Sequence, residues 1–365
     1  MGEHTSETFS VYSGKRVPIV LASSAYYAPY MAVTIQSILD SSSKDNSYEI
    51  VVLHREIEAD VAETVKKMAN GHDNISIRFL KIQKQFESVC FNFRTDVAAA
   101  TESFYCVLLQ TLLPEYEKCI CIDCDVIIRN DIAELYDVDV DGFLIGAVHD
   151  IDGIGNCYGE LANGNPAASM QGRSDYMINT MGLEKVEDYF QSGVMLLNLK
   201  EWRQTYTIEQ ILNVACSDWI KWGDQDTMNV LCKNRVRYID MSWNVIVNHR
   251  NKQLKMALLY GPRWLLDEYA AARSAPKIVH YAGTKPWETG FCDMFVYFWE
   301  TALKSPFYRE IYGRALKHDE EIKDEDTSLE TAQEMIKLYL NGEIGLRWII
   351  PQISAWIKYK LRGGK

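Results

Sequence analysis

The chain has 365 residues, of which 47% are hydrophobic and 24% are charged, and its formal net charge is −12. This composition is that of a globular protein, and the acidic balance argues against non-specific binding of nucleic acid. No run of 18 apolar residues occurs, so we predict no membrane-spanning helix. Residues 1–13 are polar and lack the apolar segment of a signal peptide, and we expect residues 1–15 to be flexible.

Nine cysteines are present, several of them inside apolar runs. Cys119, Cys121 and Cys124 alternate along a predicted strand, and no second cluster with zinc spacing follows them. We therefore predict buried, reduced thiols and a reducing cytosol.

Apolar runs and helical segments alternate along the first 113 residues. The run 17–22 is typical of a strand buried on both faces, and 48–53 and 75–80 are predicted as the second and third strands. The segments 30–39, 58–69 and 101–113 are predicted as helices. This alternation predicts an α/β fold with a mainly parallel sheet flanked by helices. Ligands of such sheets bind beyond the carboxyl ends of the strands.

Two carboxylates, Asp123 and Asp125, follow the apolar run Cys119–Ile122 and precede Val126–Ile128. Side chains that alternate along an extended chain place both on the same side. Unpaired buried carboxylates are costly, and hard oxygen ligands suit Mg²⁺ or Mn²⁺. The alternative is that these acids pair with a nearby arginine or cap a helix.

Further strands are predicted at 143–148, 193–199, 237–240 and 277–280, with helices that begin near 199 and 226. Residues 151–186 are rich in Gly, Asn, Asp and Ser, and we predict a long loop there. We expect this loop and residues 245–267 to bind the acceptor of any transfer reaction. The predicted domains are a catalytic domain over 16–300 and a helical segment over 301–365.

The C-terminal segment combines aromatic and basic residues. From residue 350 onward the chain has four basic residues and no acid, beside Trp356 and Tyr359. Such segments lie in membrane interfaces, so we predict peripheral membrane contact through 346–365. The alternative is a helix that packs on its own domain.

Four blocks between residues 17 and 290 together resemble glycosyltransferase family 8, which contains bacterial lipopolysaccharide galactosyl- and glucosyltransferases and glycogenin. The segment 19–30 is similar to the family's first strand and nucleotide loop. The blocks are residues 112–129 around the two aspartates, residues 189–202 (YFQSGVMLLNLKEW), residues 224–226 (DQD) and residues 280–287 (HYAGTKPW).

The resemblance implies a GT-A fold, a UDP-sugar donor, Mn²⁺ (with Mg²⁺ possible) and transfer with retention at the anomeric carbon. It also implies roles by position. The metal ligands would be Asp123, Asp125 and His280. The other donor-binding groups would be Ala22, Ser24 and Tyr27 at the nucleoside, Gly283 and Lys285 at the diphosphate, and Gln191 at the sugar. The reaction centre would hold Asp150, Asp224 and Gln225.

Alternatives remain for several of these residues. His280 taken alone fits a hydrogen-bonded core histidine, Tyr27 fits a packing role, and Asp224 fits an N-cap for the following helix. Retention would need either a carboxylate nucleophile or front-face attack, in which the departing diphosphate accepts the proton of the acceptor hydroxyl. We favour front-face attack, with the Gln225 carbonyl oxygen stabilising positive charge on the sugar ring.

Three positions depart from the family pattern. Cys106 stands where the family has an arginine, no acid lies near Ser24, and Gln191 replaces an asparagine. The arginine would have been a bidentate donor to phosphate or sugar hydroxyls. We expect these changes to alter donor preference.

The predicted function is metal-dependent, retaining transfer of galactose or glucose from a UDP-sugar to a glycan or lipid-linked acceptor. The process would be synthesis of lipopolysaccharide or another surface polysaccharide, in the cytoplasm at the inner face of the membrane. The alternative is a non-catalytic sugar-nucleotide or glycan-binding protein. A nucleotidyl- or phosphotransferase is disfavoured, because GxxxxGK[ST] and GxGxxG are missing.

Overall fold

The computed structural model describes residues 14–82, 102–163, 172–248, 254–283, 285–288 and 292–324. The strands are β1 Arg16–Ala22, β2 Ser47–His54, β3 Ile75–Lys81, β4 Cys119–Ile122, β5 Val126–Ile128, β6 Ile145–Ala147, β7 Val194–Leu197, β8 Val236–Tyr238, β9 Val245–Ile246 and β10 Ile278–His280.

The α-helices are α1 Ala28–Ser41, α2 Ala59–Lys66, α3 Leu109–Leu112, α4 Ala133–Tyr136, α5 Ile151–Asn163, α6 Arg173–Asp175, α7 Leu199–Thr205, α8 Ile208–Ala215, α9 Gly223–Leu231, α10 Lys255–Tyr260, α11 Arg263–Ser274, α12 Phe295–Ala302 and α13 Tyr308–Asp324. Short 3-10 helices cover Lys67–Ala69, Ser103–Leu108, Val186–Asp188 and Met241–Asn244, and Tyr176–Thr180 form a π-helix.

Seven strands form the main sheet in the order β3-β2-β1-β4-β7-β6-β8. All neighbouring strands run parallel except β7, which is antiparallel to both β4 and β6. Successive β1 residues face two different cores, since Ile19 and Leu21 join one hydrophobic cluster and Val20 joins another. The predicted mainly parallel sheet flanked by helices is confirmed.

A second sheet of three strands has the order β5-β10-β9. β4 belongs to the first sheet and β5 to the second, so the chain passes between the sheets at Asp123–Asp125. β10 pairs antiparallel with β5, and this register sets His280 opposite Val126. The two aspartates therefore lie in a turn between strands, and pairing between β5 and β10 brings a histidine beside them.

The prediction of a long loop over residues 151–186 is wrong, because residues 151–163 form α5. Its glycines allow close packing on α10: a Cβ atom built at Gly155 would lie 2.5 Å from the Ala257 Cα, and one at Gly159 would lie 2.8 Å from the Met256 sulfur. The glycines that suggested a loop are instead explained by helix–helix contact.

The chain divides into two compact units. The first comprises Met1–Pro286 and Gly290–Ile311, and the second Trp287–Thr289 and Tyr312–Lys365. The first unit holds both sheets, and the described part of the second is residues 287–288 and the α13 residues 312–324. The predicted limits of 16–300 and 301–365 stay predictions, and the segment 346–365 lies outside the described residues.

Candidate active site

Asp123, Asp125 and His280 converge at the crossover between the sheets. The His280 Nε2 atom lies 3.5 Å from an Asp123 carboxylate oxygen and 3.4 Å from one of Asp125. One ligand atom from each residue falls within 4.8 Å of the other two. Two carboxylates and an imidazole are a donor set that divalent cations such as Mn²⁺ accept, so these residues fit a metal site.

A hydrogen-bond relay fixes the tautomer of His280. The Gly193 backbone N–H donates to Gln191 Oε1 at 2.6 Å, and the same oxygen accepts from Asn244 Nδ2 at 2.5 Å. The Asn244 Oδ1 atom therefore faces His280 Nδ1, at 2.8 Å, and accepts a hydrogen bond from the Nδ1–H group. Nε2 is left with its lone pair directed toward the two carboxylates, which is the form that ligates metals.

Gly193 packs against His280 and Asp123 of this cluster. A Cβ atom built there would overlap the His280 ring and would lie 2.7 Å from an Asp123 carboxylate oxygen. The Gly193 carbonyl also accepts a hydrogen bond from the Asp123 backbone N–H at 2.9 Å. A side chain at this position would displace two of the three candidate ligands.

Lys285 supplies positive charge at the edge of the cluster. Its ammonium forms an ion pair with Asp125 and donates to the Tyr281 carbonyl at 2.9 Å. The two carboxyl groups of the cluster differ in pKa. Burial and the Asp125 charge raise the pKa of Asp123. Burial also opposes ionisation of Asp125, but the charge of Lys285 outweighs it and lowers the pKa of that carboxyl. Gly283, two residues before Lys285, has a backbone φ of 83°, a conformation that favours glycine.

The residues predicted to line the nucleoside site lie on the same rim. The Cys124 Sγ atom is 3.2 Å from the Ala22 carbonyl, which brings the end of β1 beside the two aspartates. The Tyr27 backbone N–H donates to Ser24 Oγ at 3.3 Å. The Tyr27 ring meets Tyr30 edge to face at 5.6 Å, so it also has the packing role that was the alternative.

The residues predicted for the reaction centre form one network. Gln225 Nε2 donates to Asp150 at 2.7 Å, and its Oε1 accepts from the Ser192 backbone N–H at 3.2 Å. The Ser192 and Ser103 hydroxyls donate to Asp224 at 3.2 and 3.0 Å. Burial raises the pKa of Asp224, although both hydroxyls oppose it. Ser192 is flanked by Gln191 and Gly193, so this network adjoins the metal cluster.

Asp224 is not the N-cap of the following helix. α9 begins at Gly223 after Trp222, which places Asp224 in its first turn. Asp226 instead accepts the backbone N–H groups of Lys221 and Trp222, at 2.9 and 2.8 Å. Tyr189 also donates to Asp226 at 2.7 Å. Asp226 therefore anchors the start of α9, whereas the carboxylate of Asp224 accepts hydrogen bonds from Ser103 and Ser192.

The side chains of Cys106 and Cys121 are in contact through their sulfur atoms, with Cα atoms 6.8 Å apart. Cys106 lies on the 3-10 helix 103–108 and packs with β4 in the same hydrophobic cluster, a contact between elements that sequence spacing does not reveal. The remaining cysteines of the described residues are free.

Sequence reasoning missed Asn244, Gly193, Ser192 and Ser103. Ser192 and Gly193 lie inside the block 189–202, whose resemblance to the family does not by itself assign a role to either residue. Asn244 has no local signal, because its contacts with Gln191 and His280 span 53 and 36 residues. Gln191 was predicted to contact the sugar, and in the structure its side-chain oxygen is engaged with Gly193 and Asn244.

A model of the family described as glycosyl transferase family 8 matches residues 18–290. The chain belongs to glycosyltransferase family 8. Curated relatives include a putative glycosyltransferase of Haemophilus influenzae, 27% identical over 66% of this chain and 67% of the relative. A lipopolysaccharide 1,2-glucosyltransferase of Escherichia coli is 25% identical over 63% of this chain and 61% of its own length.

Solved structures of glycosyltransferases share the fold. The bifunctional glycosyltransferase WbbM superimposes with a TM-score of 0.69 at 26% identity, over 84% of this chain and 52% of WbbM. The galactosyltransferase LgtC, solved with donor and acceptor sugar analogues, gives a TM-score of 0.62 at 22% identity, over 81% of this chain and all of LgtC. The predicted GT-A fold is confirmed, and family and fold together identify the chain as a glycosyltransferase.

Proposed function

We propose that this family 8 glycosyltransferase is metal-dependent and transfers a hexose, galactose or glucose, from a UDP-sugar with retention at the anomeric carbon. The observation that carries the proposal is the cluster of Asp123, Asp125 and His280 beside Lys285. A sugar nucleotide has a diphosphate leaving group, whose negative charge grows as the glycosidic bond breaks.

Asp123, Asp125 and His280 would hold the cation, Mn²⁺ or else Mg²⁺. When bound, the cation neutralises charge on the diphosphate oxygens. Lys285 is a compact point charge at the same place and suits phosphate. Ala22, Ser24 and Tyr27 would bind the nucleoside, and Gly283 would allow the backbone to approach the diphosphate closely.

Asp150, Asp224 and Gln225 would surround the donor sugar. For retention we favour front-face attack, in which the acceptor oxygen bonds to the anomeric carbon on the side from which the diphosphate departs. The acceptor proton passes to a diphosphate oxygen. Supporting this, Gln225 is held from both ends, by Asp150 and by the Ser192 N–H, so its carbonyl dipole is positioned before the reaction. An amide is a poor nucleophile, which disfavours a covalent intermediate on Gln225.

The proposed acceptor is a glycan or a lipid-linked sugar of lipopolysaccharide or another surface polysaccharide. The Escherichia coli relative is named as a lipopolysaccharide glucosyltransferase, which supports this class. None of the described helices is long and apolar enough to cross a bilayer. We propose cytoplasmic localisation with peripheral attachment through residues 346–365. Deleting this segment should lower binding to anionic vesicles, and unchanged binding would refute the attachment.

A donor screen tests the proposed activity. The protein is incubated with Mn²⁺ and a panel of UDP-sugars, and UDP release is measured. We expect release from UDP-galactose or UDP-glucose that EDTA abolishes and Mn²⁺ restores. Asp125→Asn should lower release by about 10²-fold or more. Asp73→Asn, at an exposed aspartate, is the matched control. No release from any donor, including slow hydrolysis, would refute catalysis.

A non-catalytic sugar-nucleotide-binding protein is the second candidate. Cys106, at the position of the family's arginine, is buried against Cys121, so it supplies no positive charge to a phosphate. This candidate predicts Mn²⁺-dependent UDP binding by calorimetry without turnover. Intact cellular function of Asp125→Asn would also favour it.

A further inference from the structure

An ion pair between Arg55 and Glu102 lies at the edge of the main sheet. The Arg55 Nε and Nη2 atoms both lie 3.0 Å from the Glu102 Oε1 atom. The Glu102 side chain is 5% exposed, and that of Arg55 is 31% exposed. Arg55 directly follows β2, and Glu102 directly precedes the 3-10 helix 103–108. The pair therefore joins two segments that are 47 residues apart in the chain.

Arg55 lies beside the end of β1. Ala22, which we propose to bind the nucleoside, is the register partner of Leu53 on β2, and Arg55 is two residues further along the chain. The Ser23 backbone N–H donates to the Leu53 carbonyl at 3.0 Å, so the two strand ends stay together. Ligands of parallel sheets bind beyond the carboxyl ends of the strands, and Arg55 lies at that edge.

Glu102 lies beside the residues proposed for the reaction centre. It directly precedes Ser103, whose hydroxyl donates to Asp224 at 3.0 Å. Phe104, the next residue of the 3-10 helix, is fully buried in a hydrophobic cluster against which Ala22 packs. The segment that carries Glu102 is therefore fixed between two residues proposed to contact the donor.

The order of the strands indicates which part of the donor Arg55 faces. In the main sheet β1 lies between β2 and β4. Because β4 leads into Asp123 and Asp125, the candidate metal site lies on one side of Ala22 and Arg55 lies on the other. Arg55 is therefore placed for the nucleoside rather than for a diphosphate held at the metal site.

Two charged groups that the family resemblance implies are missing from their expected positions. Cys106 stands where the family has an arginine, and no acid lies near Ser24. Arg55 and Glu102 supply one arginine and one acid from other positions in the chain. Neither lies in the blocks that resemble the family, so the family pattern assigns no role to either of them.

Only part of the hydrogen-bonding capacity of the ion pair is used. Among the described residues, Glu102 is the only hydrogen-bond acceptor of the Arg55 guanidinium, which has five N–H donors. The Glu102 Oε2 atom is shielded from solvent and has no hydrogen-bond partner within the described ranges. An ionised oxygen in that state is costly. A nucleoside offers both carbonyl oxygens that accept from a guanidinium and hydroxyl or imide groups that donate to a carboxylate.

We infer that Arg55 binds the nucleoside of the donor and that Glu102 is a positioning residue for it. The guanidinium donates to oxygen atoms of the nucleoside, and Glu102 restricts its orientation by accepting from two of its nitrogens. This inference rests on the UDP-sugar donor proposed above and adds a residue that recognises the nucleoside. The alternative is a structural ion pair that only ties β2 to the 3-10 helix, and it predicts unchanged nucleotide binding.

Calorimetric titration with UDP and with inorganic pyrophosphate, both in the presence of Mn²⁺, tests the inference. Arg55→Met should lower the affinity for UDP by about tenfold or more, because charge-assisted hydrogen bonds are lost. Its affinity for pyrophosphate should stay that of the wild type. Glu102→Gln keeps the shape of the side chain but not its charge, and should lower the affinity for UDP by less than Arg55→Met does.

Arg235→Met is the matched control. Arg235 is 32% exposed and pairs with Glu201, so its loss also removes a half-buried ion pair. It directly precedes β8, which runs parallel to β6, and therefore lies at the amino edge of the sheet, away from the candidate site. Arg55→Lys keeps the charge without the planar fork and should bind UDP with intermediate affinity. It decides the question if Arg55→Met does not fold.

Three outcomes would contradict these expectations, and they differ in meaning. An affinity of Arg55→Met for UDP within about twofold of the control would overturn the inference and leave the ion pair a structural role. An equal loss of affinity for pyrophosphate in a folded variant would also overturn it, because Arg55 would then bind the diphosphate. A wild-type protein that binds pyrophosphate but not UDP would instead refute the proposed UDP-sugar donor, so the two failures are distinguishable.

Discussion

The Nδ1 atom of His280 lies 2.8 Å from the Oδ1 atom of Asn244, and this bond decides which nitrogen of the histidine faces Asp123 and Asp125. The backbone N–H of Gly193 anchors the relay, because it can only donate and so fixes the orientation of the Gln191 amide. Asn244 is accordingly a positioning residue, which acts on the candidate metal site through His280.

Replacing Asn244 with Leu should lower the affinity for Mn²⁺ by about 10- to 100-fold, because Nδ1 loses the acceptor that holds its proton. Free Mn²⁺ is measured by electron paramagnetic resonance during titration of the protein with UDP present. Asn213→Leu, at an exposed asparagine, should bind as the wild type does. An affinity for Asn244→Leu within twofold of that control would mean that the relay does not position His280.

Gly193→Ala should lower the free energy of unfolding by about 1–3 kcal/mol and weaken Mn²⁺ binding, because the added Cβ atom displaces His280 and Asp123. Urea unfolding and the same Mn²⁺ titration measure the two effects. Gly313→Ala is the matched control: a Cβ atom there meets no described heavy atom within 4 Å. Equal stability and equal Mn²⁺ affinity in the two variants would show that a Cβ atom at position 193 does not displace His280 or Asp123.

Gln225→Ala should lower the turnover number by about 10²-fold while the affinity for UDP with Mn²⁺ stays the same, because the amide is placed for the transition state rather than for the nucleotide. Steady-state rates of UDP release and calorimetry separate the two quantities. Gln36→Ala, on α1, is the control. A loss of UDP affinity equal to the loss of turnover would place Gln225 in nucleotide binding instead.

Glu49 on β2 makes the stability of the fold depend on pH. It pairs with Arg16 and with Arg78, the latter at 2.8 Å. Burial raises the pKa of Glu49, but hydrogen bonding from Tyr116 and the charges of Arg16 and Arg78 outweigh it and lower the pKa below the ordinary 4.5. The ionised form therefore stabilises the fold above about pH 4.5, and this contribution disappears as the pH falls through the folded-state pKa.

Glu49→Gln should lower the free energy of unfolding at pH 7 by about 1–3 kcal/mol, and the difference from the wild type should shrink at low pH. Urea unfolding at several pH values between 3 and 7, chosen around an ordinary carboxyl pKa of roughly 4.3, measures this. Glu58→Gln, at an exposed glutamate, should follow the wild type. A difference that stays constant with pH would show that lost packing, and not lost charge, explains the effect.

Much of the fold could be predicted from short-range patterns. β1, β2 and β3 coincide with the predicted strands, and the continuously apolar β1 is buried on both faces of the sheet. The failure at α5 has a physical cause. Glycine has a low helix propensity, but Gly155 and Gly159 are compensated by close packing on α10, a tertiary contact that no local pattern contains. The contact between Cys106 and Cys121 is likewise tertiary, and no local pattern predicts it.

The sequence by itself determined which residues meet at the candidate site, because ordered motifs over some 270 residues assigned Asp123, Asp125 and His280 to one family's pattern. It did not determine how they meet. Extended alternation was expected to align the aspartates, whereas the structure places them in a turn between two sheets. Only tertiary structure decided the proton position on His280, since Asn244 is 36 residues away. It also decided that Arg55 meets Glu102, because packing of the 3-10 helix 103–108 against the sheet, and not local composition, brings the two residues together.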